Sequence, residues 1–126
     1  MVIMTISSDT LTLEVQGLDK LWALKTRIDI PLRHIRGVEV DPEAASQPQG
    51  WREQGTHIPG VLTAGTIRHA GKRIFWDVHN PVNAVVINLH DDRYDQLIVE
   101  VSDPTATVKQ ITEALAQAPA ISTILS

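Results

Sequence analysis

The apolar residues of this chain change their period at Asp103-Pro104. Upstream they recur mostly at every second position, ending with Leu97, Val99 and Val101. Downstream, Val108, Ile111 and Leu115 recur at helical spacing. Asp brings the side-chain oxygen that caps a helix, and Pro is well tolerated in a first helical turn. A chain written this way folds as a run of strands closed by one C-terminal helix. That order constrains architecture and says little about chemistry.

Seven segments read as strands. Leu11, Leu13 and Val15 alternate with Thr12, Glu14 and Gln16, and Ile28 and Ile30 alternate up to Pro31. Val38 and Val40 follow, stopped by Asp41-Pro42. Residues 61–68 form the fourth, where Gly65 predicts a bulge or sharp coil. In the fifth, Ile74, Trp76 and Val78 share one face, with Phe75 and Asp77 on the other. The consecutive aromatics therefore divide, one into the core and one onto a sheet face or interface. Residues 84–89 and 97–102 complete the set, with Glu14 and Glu100 expected to point outward. His69-Ala70-Gly71-Lys72 predicts a tight hairpin between the fourth and fifth. Leu18, Leu21, Trp22 and Lys25 predict a short helical turn after the first. The C-terminal helix is expected over 104 to about 118, where Pro119 blocks it. The apolar tail 119–126 then folds back on the domain or meets a partner subunit.

At 126 residues there is room for one domain, and 43% hydrophobic residues supply a real core. The net charge of −4 argues against nucleic-acid binding, which depends on Lys and Arg neutralising phosphates. It also weighs against a membrane surface, although a local basic patch can survive an acidic total. With no cysteine, thiolate catalysis, disulfides and Cys-based metal centres are excluded. The N-terminal Met1-Val2-Ile3-Met4-Thr5-Ile6 lacks the positive leader of a signal peptide, and no apolar run is long enough for a transmembrane segment. The expectation is a soluble, cytoplasmic single domain with no cofactor.

The stretch from Asp41 to Gly60 resists assignment. It holds three prolines (Pro42, Pro48, Pro59) and three glycines (Gly50, Gly55, Gly60), and reads as one long loop. Trp51, Arg52 and His57 lie within it and are its candidate interaction residues. Trp51 either plugs an opening in the fold or serves as an interaction anchor, a role in which Trp and Arg are enriched.

In four stretches the chain resembles a family of uncharacterised bacterial proteins with a pleckstrin-homology-like domain. These are Ile28-Asp29-Ile30-Pro31-Leu32 leading to Val38-Glu39-Val40, and Ile58-Pro59-Gly60-Val61 followed by Ala64-Gly65-Thr66. The others are Phe75-Trp76 with Ala84-Val85-Val86-Ile87, and Leu97-Ile98-Val99-Glu100-Val101 running into Asp103-Pro104. The resemblance implies a mainly β fold: a bent, seven-stranded barrel of two antiparallel sheets capped by the C-terminal helix. It also implies a non-enzymatic binding module that assembles with itself or a protein partner. Its lipid-binding version uses cations around the first hairpin, where this chain offers Lys20, Lys25 and Arg27 as an anion-binding set. A solvated strand face explains the same residues.

No catalytic set stands out. The five histidines, His34, His57, His69, His79 and His90, show no metal-ligand spacing. Asn80-Pro81 and Asp91-Asp92 read as turn chemistry. No serine occupies a Gly-x-Ser-x-Gly elbow, and no glycine-rich phosphate loop is present. The alternative function is a small-ligand binder or small enzyme using a barrel mouth near His57, His79 and His90.

Overall fold

The computed structural model describes residues 1–17, 27–46, 51–58 and 62–125, with side chains described for 1–17, 27–45 and 64–117. Within these residues the fold is mainly β, in two sheets. The smaller has the order β1 (Val2–Ser7), β2 (Thr10–Val15), β3 (Arg27–Pro31) and is antiparallel throughout. A 3₁₀ turn at Leu32–His34 leads into β4 (Ile35–Val40), the first strand of the larger sheet. That sheet continues with β5 (Trp51–Ile58), β6 (Leu62–His69), β7 (Lys72–Val78), β8 (Ala84–Leu89) and β9 (Gln96–Glu100). Its spatial order is β4-β8-β9-β7-β6-β5. Two helices, α1 (Pro42–Ser46) and α2 (Pro104–Leu125), and a second 3₁₀ turn at Pro81–Asn83 complete the described elements.

The larger sheet is buried on both faces where β7, β8 and β9 run. Phe75 is 0% and Trp76 2% exposed, on opposite faces. Phe75, Val85, Ile87, Leu97 and Val99 face the smaller sheet and join Leu11, Leu13, Ile28 and Ile30 in the main core. Ile67, Ile74, Trp76, Val86 and Ile98 form a second cluster on the far face, with Ala45 of α1 packed onto it. Two-sided burial explains why the sequence here departs from simple alternation into near-continuous apolar runs. The division of Phe75 and Trp76 holds, but both members are core. Glu100 is likewise not solvent-facing: it is buried, and its Oε1 accepts the backbone N–H groups of His79 and Asn80 at 2.9 and 3.3 Å. Glu14 is exposed, as alternation predicts.

Several expectations need correction. β1 and β5 stand outside the seven segments that alternation marks. In β1, Ile3 is apolar but faces out, which hides the period of Val2, Met4 and Ile6. The sheets are not wholly antiparallel, because β9 inserts between β8 and β7 and runs parallel to β7, pairing Phe75 with Leu97 and Asp77 with Val99. Among the described residues no ladder joins the two sheets into a closed barrel. Gly65 carries no bulge; its register is continuous, and it relieves strain instead through a φ of 134°. The register shifts lie at Ile35/Gly37 in β4 and Arg52/Gln54 in β5. The predicted helical turn at 18–25 lies outside the described residues.

Helix α2 begins as the Asp-Pro signal requires. Asp103 Oδ1 accepts the N–H of Ala106 at 3.0 Å, and its carbonyl accepts the N–H of Thr107 at 3.0 Å. Ile111 is buried, and Val108, Ala114 and Leu115 pack beside it against the main core. The helix lies over β4, the Leu32–His34 turn, β1 and β8, and so closes one side between the sheets. Its backbone continues to Leu125, so Pro119 lies inside it and the segment read as a tail is helical. Proline removes one backbone hydrogen bond and can bend a helix without ending it. Asp77, fully buried on β7, accepts the α-ammonium of Met1 at 2.8 Å and ties β1 to the larger sheet.

The β6–β7 hairpin forms as predicted. His69 pairs with Lys72, and Ala70 and Gly71 take φ of 53° and 79°. Positive φ at both central residues defines a type I′ turn, where Asn-Gly is preferred and alanine is strained. Ala70→Asn is expected to raise stability by about 0.5–1 kcal/mol, read as a higher thermal midpoint. Ile111→Ala is expected to cost about 2–5 kcal/mol in urea unfolding, because it empties the helix's one fully buried contact with the core among the described residues.

Candidate functional site

The 41–60 stretch is not a structureless loop. Asp41 Oδ1 accepts the N–H of Ala44 at 3.0 Å and so caps α1, the same Asp-Pro device that starts α2. After the helix the chain enters β5, which pairs antiparallel with β6 and stands outermost in the larger sheet. Trp51 lies opposite Arg68, Arg52 opposite Ile67 and His57 opposite Thr63. All three predicted interaction residues therefore belong to one edge strand. Their side chains lie outside the described residues, as does the choice between plug and anchor for Trp51.

β1 and β3 are the edge strands of the smaller sheet. The sequence of β1, Val-Ile-Met-Thr-Ile-Ser, has no charge, and Ile3 is 53% exposed on its outer face. Charged residues and proline are the usual means of discouraging pairing at a sheet edge, and β1 has neither.

The predicted anion-binding set divides. Lys20 and Lys25 lie outside the described residues. Arg27, on β3, is engaged with Asp29, its Nε donating to Oδ1 at 3.0 Å with both side chains exposed. The Thr12 hydroxyl, directly across the β2–β3 pair, donates to the same oxygen at 2.8 Å. The Thr12 hydroxyl and then the Arg27 guanidinium hold the Asp29 carboxyl below its ordinary range. Arg27 is thus partly neutralised by its own neighbour.

The histidines do not converge on one mouth. Strand register puts His57 opposite Thr63, and Thr63 opposite Val78, so His57 and His79 share one end of the larger sheet. His90 follows Leu89 at the end of β8, beside the start of β7. Seven residue steps along the strands separate that level from His79, roughly 23 Å at 3.3 Å per residue. The correction arises because β8 runs opposite to β7, so their C-terminal ends lie at opposite ends of the sheet.

His90 meets His34 instead, a partner that sequence separation conceals. The backbone N–H of His90 donates to the carbonyl of His34 at 2.8 Å, and the rings lie 6.2 Å apart. His34 Nδ1 contacts Asp92 Oδ2 at 2.8 Å, and His90 Nδ1 contacts Asp91 Oδ2 at 3.1 Å. The His34–Asp92 pair and the His90 backbone bond anchor the β8–β9 turn to the Leu32–His34 turn, whereas the His90–Asp91 pair is local to the β8–β9 turn. Among the described residues no group of three or more His, Asp or Glu side chains could hold a metal ion. Asn80 and Asp92 perform the expected turn chemistry, accepting the N–H groups of Val82 and Arg93 at 3.2 and 2.7 Å.

No protein-family model, curated protein or solved structure matches this chain.

The Asp29 contacts have a measurable consequence. Any stability from its ionised form is present above the ordinary aspartate range and lost as pH falls through the lowered midpoint. In a carboxyl-carbon NMR titration, Asp29 is expected to titrate below an unperturbed aspartate. Thr12→Val is expected to move that midpoint upward; an unchanged midpoint would remove the hydroxyl as its main cause.

Proposed function

We propose that this chain is a non-enzymatic binding and assembly module that associates through an open sheet edge, with a second copy as its partner. The observation that carries the reading is β5: eight residues long, outermost in the six-stranded sheet and paired only with β6 among the described residues. Such a strand presents a row of backbone donors and acceptors on its outer side. A copy related by a twofold axis offers the same row in reverse and can satisfy both. Trp51 and Arg52, residue types enriched where interfaces concentrate their energy, lie on this strand.

The pleckstrin-homology-like barrel is the finer form of the proposal. It is supported by the four resembling stretches and by the coarse plan of two sheets with one C-terminal helix. The parallel β7–β9 pair departs from the wholly antiparallel sheets which that resemblance implies. The small-ligand alternative near His57, His79 and His90 loses its geometric basis, since His79 and His90 stand at opposite ends of the sheet. The anionic-lipid alternative rests on Lys20, Lys25 and Arg27, of which Arg27 is held by Asp29.

Sedimentation velocity over a concentration series is the test. The chain is expected to run as a dimer or larger, and Trp51→Ala to shift it toward monomer with its thermal midpoint preserved. A strict monomer at the highest concentration would overturn self-assembly.

A further inference from the structure

A polar hollow lies on the larger sheet at the level where β8 ends and β9 begins. One transverse row of the sheet holds Gly37 of β4 opposite Asn88 of β8, Asn88 opposite Gln96 of β9, and Gln96 opposite Ile74 of β7. Alternation puts Asn88 and Gln96 on the face away from the smaller sheet, since Ile87 and Leu97 point into the main core. The Gln96 Nε2 group donates to Asn88 Oδ1 at 2.8 Å. That bond orients both amides, leaving the Asn88 NH₂ as donor and the Gln96 carbonyl as acceptor, side by side.

Two cations flank this pair. Arg36 is the extra residue of the β4 bulge, where the register steps from Ile35 opposite Leu89 to Gly37 opposite Asn88. Bulges re-aim side chains in this way and are over-represented beside functional sites. Lys72 begins β7 on the other side, two residues before Ile74. Neither cation has an ion-pair partner among the described residues. The hollow between them measures about 440 Å³ and is lined by Arg36, Gly37, Lys72, Asn88, Asp95 and Gln96, beside Leu89, whose side chain packs in the main core. The Asp95 Oδ2 atom is already occupied by the N–H of Arg73 at 2.8 Å, which turns that carboxylate toward the β7 backbone.

With two cations and one carboxylate the lining is net positive. Its volume falls within the range of small-molecule sites. Among the described residues no aromatic ring lines it for a base or another flat apolar group to stack upon. Guanidinium and ammonium groups recognise carboxylate and phosphate oxygens, and adjacent amide donor and acceptor groups recognise hydroxyls. We propose that this hollow binds a small hydrophilic oxyanion. Its carboxylate or phosphate group sits between Arg36 and Lys72, and a neighbouring hydroxyl meets Asn88 and Gln96. The inference is independent of self-assembly, since it uses no residue of β5.

Gly37 supplies the decisive variant. A Cβ there would meet nothing within 4 Å, and its φ is not in the left-handed region. Gly37→Val should therefore fold while crowding the hollow beside Asn88. The full chain is titrated at low ionic strength with inorganic phosphate and, separately, with malate, following the Asn88 and Gln96 side-chain amide signals by NMR. Saturable shifts at both amides are expected with at least one probe. Tighter binding of phosphate would identify a phosphate ester as the natural class, and tighter binding of malate a hydroxy acid. Arg36→Gln and Lys72→Gln are each expected to weaken binding about tenfold, in keeping with a lost charge-assisted hydrogen bond, and Gly37→Val to abolish it. Thermal melting checks that each variant is folded. No saturable shift with either probe, or undiminished binding by folded Gly37→Val, overturns the site.

Discussion

Burial of both faces of β7, β8 and β9 is the constraint on which the rest of this fold depends. With Phe75 on one side and Trp76 on the other, neither face of the central sheet can be left to water. The smaller sheet and α2 cover the first face, and α1 contributes Ala45 to the second. Pairing β9 between its two neighbours puts a strand with four of its five residues buried inside the sheet. The parallel β7–β9 pair is the topological cost of that placement. The indole Nε1 of Trp76 is buried with no hydrogen-bond partner among the described residues, a penalty of about 1–3 kcal/mol that the aromatic's own burial has to outweigh.

Covering both faces concentrates what remains available for function at the margins. The sheets end in β1 and β3 and in β4 and β5, and of these edge strands only β5 belongs to the segment that the sequence marks as unusual. The hollow at Arg36, Asn88, Gln96 and Lys72 sits where the second cluster gives way to polar side chains. One margin suits a partner strand and the other a small anion. The turns that join these margins are anchored locally, by His34 on Asp92 and by Glu100 on the His79–Asn80 backbone.

Much of the fold was legible wherever a local signal had one meaning. Alternation in β2 and β3, the glycine turn at Ala70-Gly71 and the Asp103 cap all act through neighbouring residues. Asp41-Pro42 carries the same cap signal, but five helical residues leave no periodicity to distinguish a helix start from a strand stop. β1 was hidden by an exposed Ile3, and β5 by its polar composition, since an edge strand need not alternate. The site was far less legible. Arg36, Lys72, Asn88 and Gln96 are spread over four strands, and nothing in their spacing along the chain brings them together.

Strands first, a helix capped by Asp103 after them, and the buried apolar faces of β2 and β3 all follow from the sequence. Those outcomes depend on side-chain chemistry and on periods spanning a few residues. Only the tertiary structure decided that β9 lies between β8 and β7, that His90 meets His34 rather than His79, and that two distant cations flank one amide pair. Strand order is set by which pairing buries both Phe75 and Trp76 at once. That is a global packing condition, and no local pattern encodes it.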